Sequence, residues 1–162
     1  DHHCGLLRLI QHIHNARKRM GGERCGTGGN SPPARVLIIG SEEVLKYHEY
    51  CACVAGLDGI CEYLDIKYTC QQPNGKFYPQ DIWSSMRQDS LNKILVASKG
   101  VIASLSSVPV HHCKNSYGLI IHFQRVNPGG IVCVVYSGDC RPSIALQEAG
   151  YDCDLLIHEA TF

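Results

Sequence analysis

Apolar residues follow two different spacings along this chain, and the alternation between them sets out its elements. Leu6, Leu7, Leu9, Ile10 and Ile13 recur at helical spacing, which predicts a helix running to about Arg17. Loop chemistry then takes over across a variable insertion at about 18–34, where 21–34 are almost all Gly, Ser, Pro, Asn and charged residues. Residues 35–39 read Arg-Val-Leu-Ile-Ile, a buried-strand run stopped by Gly40. Ser41 suits an N-cap, and Glu42 and Glu43 suit the positive end of a helix that runs to about Val54 and ends near Gly56.

The second half is richer in strand. Residues 65–69 predict a short strand and 73–75, Pro-Asn-Gly, a turn. Helical spacing returns over 82–97, and the Val-, Ile- and Ser-rich segment 100–110 predicts a strand that delivers His112 just past its end. Segments 117–123 and 131–136 read as neighbouring strands joined by a turn at 128–130. A short helix over 142–148 and a last strand over 154–158 complete the pattern. Strands interleaved with helices define an α/β protein, and no internal repeat is visible.

Composition narrows the class. A hydrophobic content of 44% in 162 residues supports a core, and 19% charged residues argue against disorder. The formal net charge is zero, so no global basic field draws in nucleic acid. No run reaches the roughly 18–20 apolar residues of a membrane span, and no signal peptide is visible. Ten cysteines occur without a Cys-x-x-Cys pair, which argues against a zinc ribbon. Several lie in apolar runs, as Cys133 does, and read as free thiols of an intracellular protein.

Four polar clusters carry the candidate chemistry: Asp1-His2-His3-Cys4-Gly5, Val110-His111-His112-Cys113, Ser137-Gly138-Asp139 and His158-Glu159-Ala160-Thr161. Histidines and carboxylates gathered at strand ends suit a borderline metal such as zinc. Each cluster alone has a plainer reading; Asp139 could simply cap Arg141 or the helix that follows. His12, His14, His48 and His122 have no partner at ligand spacing and read as surface or core residues. Arg17-Lys18-Arg19 reads as a basic helix end rather than an RNA contact, and Gly26, Gly28 and Gly29 follow no strand, so they form no nucleotide loop.

In their order, Asp-His, then His, then Gly-Asp, then His-Glu-Ala-Thr, these clusters resemble the metallo-β-lactamase superfamily, and within it the tRNase Z family. The segments that carry the resemblance are 1–7, 110–118, 136–142 and 155–162, the last reading Leu-Leu-Ile-His-Glu-Ala-Thr-Phe. The resemblance implies an αββα sandwich, with 1–162 as the central part of one catalytic domain, incomplete at both ends. The family's His-x-His is expected upstream of Asp1, and its His-Ser-Thr loop and last histidine ligand beyond Phe162. It implies two zinc ions per intact site, with His112 on the first, Asp1 and His2 on the second, and Asp139 bridging both. Asp1 would also orient or deprotonate the attacking water. Glu159 would hold a histidine from outside the chain in the tautomer that protonates the leaving 3′ oxygen. His158, His111 and His3 are expected beside the ligands rather than among them.

The implied activity is endoribonucleolytic removal of the 3′ trailer of precursor tRNA, with no membrane partner. The nucleus, the mitochondrion and the cytosol all stay open, as does the oligomeric state: dimer for a short form, monomer for a long one. The alternatives are another hydrolase on this scaffold, or a non-catalytic RNA- or partner-binding fragment or paralogue. The isolated 162 residues are expected to bind metal poorly and to show no turnover.

Overall fold

A computed structural model describes residues 5–22, 35–57, 59–70, 80–125 and 129–159. The chain divides into two compact units, 1–64 and 65–162.

In the first unit, helix α1 (Leu6–Gly22) turns Leu6 and Ile10, one turn apart, onto a core with Ile38 and Leu45. The helix outlasts its expected end at Arg17. Arg17-Lys18-Arg19 contains no breaker, and the first strong stop signals are Gly21 and Gly22. Only Arg19 among the basic residues lies in the last turn, where its Nε donates to Asn15 O at 3.4 Å. Strands β1 (Val36–Gly40) and β2 (Cys61–Asp65) form a two-stranded sheet, with Val36 N–H donating to Ile60 O at 2.8 Å.

Between them runs α2 (Glu42–Val54), which starts after Ser41 without a bond from the serine side chain. Its first turn is supported instead by Glu42 and Glu43 on the helix dipole and by a 2.7 Å Lys46–Glu42 pair. Its other end is a Schellman motif. Gly56 takes φ +66°, its N–H donates to Cys53 O, and Leu57 N–H reaches back to Ala52 O at 2.9 Å.

The second unit corrects one expected element. Residues 66–69 form a short 3-10 helix (Ile66–Thr69), because the Asp65 carboxylate accepts Lys67 N–H at 3.0 Å and turns the chain locally. The strand expected there is β2, which ends at Asp65. Helix α3 (Gln80–Ala97) packs on the 3-10 helix and on strand β3 (Ile102–Pro109). Ser107 of β3 and Thr69 are both fully buried, and each hydroxyl donates to Ile66 O, at 3.1 and 2.7 Å.

Strands β3, β4 (Tyr117–Arg125) and β5 (Gly130–Tyr136) form an antiparallel meander, and β6 (Leu155–Ile157) adds in parallel beside β5. A parallel neighbour requires a crossover, which α4 (Ile144–Ala149) provides, capped by Ser143 Oγ accepting Leu146 N–H at 3.3 Å. Val110, Ile120, Val135, Cys140 and Leu146 make the core, with Val108, Cys133 and Cys153 packed against it. The turn expected at 73–75 lies outside the described residues, as does most of the 18–34 insertion.

Candidate metal centre

The sheet register decides which loops meet. Pro109 pairs with Tyr117, Leu119 with Tyr136, and Tyr136 with Ile157. The ends of β3, β5 and β6 therefore fall on one edge of the sheet, and the segments carrying His112, Asp139 and Glu159 leave from that edge.

The loop after β3 is closed at its base by Val110 N–H donating to Ser116 O at 3.0 Å. Asn115 takes φ +62°, which tightens the return, and His111, His112 and Cys113 stand exposed at the tip. After β5, Gly138 takes φ +59°, and a Cβ there would lie 3.3 Å from Tyr117 O, so glycine is favoured both by conformation and by space. Asp139 follows, exposed. Arg141 N–H donates to His111 O at 2.8 Å, which holds the two loops side by side. An open recess of about 770 Å³ adjoins them, bordered by Val110, His111, Pro142, Ser143 and Ile144.

The segment after β6 is bound to the same place. Glu159 Oε1 accepts Cys140 N–H at 2.6 Å, and Glu159 N–H donates to Ser137 Oγ at 3.1 Å. His158 Nδ1 lies 2.6 Å from Glu159 O, which makes Nδ1 the donor, and its Nε2 lies 3.9 Å from Cys140 Sγ. Glu159 is thus engaged with the backbone next to Asp139, a partner the sequence reading did not supply. Ser137 is completely buried and has no role in that reading. Its only sequence signal is a small polar residue directly after an apolar strand.

Among the predicted site residues, the structure places His112 and Asp139 on neighbouring loops and Glu159 behind Asp139. Asp1 and His2 lie outside the described residues. An imidazole and a carboxylate are suitable donors for zinc, yet among the described residues no three His, Cys, Asp or Glu side chains could together hold an ion. The donor types fit the metal, and further ligands are needed to close a site.

Comparison with known proteins follows the same lines. No protein-family model matches the chain. The fold matches a long-form RNase Z from yeast with a TM-score of 0.72, at 19% identity, over 98% of this chain and 22% of that one. This is a chain of the metallo-β-lactamase fold class, with its candidate ligands on the loops at one sheet edge. In sequence it is 44% identical over 193 residues to a mitochondrial tRNase Z, TRZ3, of Arabidopsis thaliana, covering all of this chain and 20% of the relative. It is 26% identical over 178 residues to the zinc phosphodiesterase ELAC protein 2 homolog of Caenorhabditis elegans, covering all of this chain and 19% of that protein. The chain is thus similar along its whole length to proteins named tRNase Z, and it spans about a fifth of the length of these curated relatives.

Proposed function

We propose that this chain supplies part of the catalytic centre of a zinc-dependent endoribonuclease that removes the 3′ trailer from precursor tRNA by phosphodiester hydrolysis. The observation that carries the reading is that the loops carrying His112 and Asp139 lie side by side, joined by the Arg141–His111 bond, in a chain homologous to tRNase Z throughout its length. His112 would hold the first of two zinc ions, Asp139 would bridge them, and Asp1 and His2 would hold the second. Bound zinc lowers the pKa of a coordinated water towards ~7 and neutralises developing phosphate charge.

The remaining steps belong to the side chains. Asp1 orients the attacking water and takes its proton. Glu159, fixed by Cys140 N–H through Oε1, orients a histidine from elsewhere in the protein so that its proton reaches the leaving 3′ oxygen. The recess beside His111 and Pro142 gives the RNA end room next to the two ligands.

The test uses protein expressed from the complete reading frame, zinc, and a precursor tRNA carrying a 3′ trailer. Cleavage after the discriminator base, lowered at least about a hundredfold by Asp139→Ala, is the expected result, since even outer partners of metal ligands are worth 10–100-fold. A folded, zinc-loaded protein that leaves the trailer intact would return the chain to the other readings, a different hydrolase or a non-catalytic paralogue.

A further inference from the structure

We propose that Ser137 is a positioning residue for Asp139, acting through a closed ring of side-chain-to-main-chain hydrogen bonds that fixes the turn carrying the carboxylate. The proposal rests on the assignment of Asp139 as a zinc ligand. Ser137 is completely buried, and its hydroxyl both donates and accepts: to Gly138 O at 2.6 Å and from Glu159 N–H at 3.1 Å. Its own N–H donates to Ile157 O at 3.0 Å. Glu159 then returns the connection, its Oε1 accepting Cys140 N–H at 2.6 Å.

The ring therefore holds a peptide group on each side of Asp139, the carbonyl of Gly138 and the amide of Cys140. Gly138 supplies the left-handed φ of +59° that the turn uses, where a Cβ would crowd Tyr117 O. Asp139 is itself exposed, and the two held peptide groups fix where its Cα–Cβ bond leaves the turn. A ligand needs its direction fixed to within ~0.5 Å and 10–20° to bind productively. A buried hydroxyl that ties Asp139's turn to the segment after β6 is the kind of outer support that metal ligands require.

Replacing Ser137 by alanine removes the acceptor for Glu159 N–H and the donor for Gly138 O, and leaves Asp139 chemically intact. A matched control exists in the same unit. Ser107 is also completely buried and its hydroxyl also bonds a main-chain oxygen, Ile66 O at 3.1 Å, yet it lies on none of the three site loops.

The experiment compares Ser137→Ala with Ser107→Ala in protein from the complete reading frame, reading zinc affinity by chelator competition, kcat and KM on precursor tRNA, and thermal midpoint. Expected for Ser137→Ala is an about tenfold weaker zinc affinity and an about tenfold lower kcat, with KM within about twofold. Ser107→Ala is expected to keep zinc affinity and kcat within about twofold despite a lower midpoint. Ser137→Cys, which keeps a weaker donor and acceptor, should fall between wild type and alanine, and it carries the test if Ser137→Ala does not fold.

Equal effects of the two alanine variants on zinc affinity, or none from either, would show Ser137 to be structural only and overturn the proposal. If Ser137→Ala weakens zinc while wild type leaves precursor tRNA uncut, the positioning role stands and the assigned reaction falls. A folded wild type that binds no zinc removes both.

Discussion

At the scale of single residues, Gly118 shows how tightly the second core is filled. A Cβ at this position of β4 would lie 2.6 Å from Leu146 Cδ1 and 3.4 Å from Tyr136 O. Leu146 is buried against Val110, Ile120 and Val135 and has little space to swing aside. Gly118→Ala should destabilise the protein by about 1–3 kcal/mol, the usual penalty of overpacking, measurable as a shift of the urea midpoint.

The thiols of Cys61 and Cys133 make a different kind of prediction. Burial pushes both up, helped at Cys133 by Cys153 and Asp154 nearby and opposed at Cys61 by a bond with Tyr63. On raising the pH, the unfolded chain loses these protons first, near the ordinary thiol value of about 8.5. Stability is therefore retained below that value and falls above it until the folded thiols titrate as well. Urea midpoints between about pH 8 and pH 10 should fall less in a Cys61→Ala/Cys133→Ala protein than in wild type. None of the eight cysteines in the described residues is in a disulfide.

Element by element, the predictable features were those written locally. The Gly-Leu end of α2 and the apolar run of β5 are legible because the stop signal, or the periodicity, lies in the element itself. The 3-10 helix was not legible. Ile-Lys-Tyr-Thr looks like a strand, and only the bond from Lys67 N–H to the Asp65 side chain diverts it.

The end of α3 repeats the Schellman pattern of α2 with an unusual residue. Lys99, at φ +53°, occupies the left-handed position, with its N–H on Val96 O and Gly100 N–H on Leu95 O. A left-handed lysine costs roughly 1–2 kcal/mol, partly offset by the added chain entropy of a glycine in the unfolded state. Lys99→Gly should thus raise stability by about 0.5–1 kcal/mol, seen as a higher thermal midpoint with activity unchanged.

Across the whole molecule, each unit has its own core, and the candidate site depends on contacts distant in sequence. His112 and Asp139 can be named as candidates from the sequence because their chemistry is local. The ring behind them cannot, because Ser137 and Glu159 stand 22 positions apart and meet only when β6 lies beside β5. Nothing around Ser137 in the sequence announces that partner.

That ring depends on a short element. β6 has three residues, all of them about half exposed, and its pairing with β5 has three rungs where the β4–β5 ladder has seven. Short, solvent-facing ladders open locally well before a sheet unfolds. Native-state hydrogen exchange should therefore show the amides of Ser137, Cys140 and Glu159 exchanging together, and far faster than those of Ile121 and Val134. The strand then behaves as a latch: whatever binds at Asp139 meets a competent site only while the latch is shut. Its apparent affinity is scaled by the fraction of time that is true, so a substitution that loosens β6 weakens binding without touching a ligand.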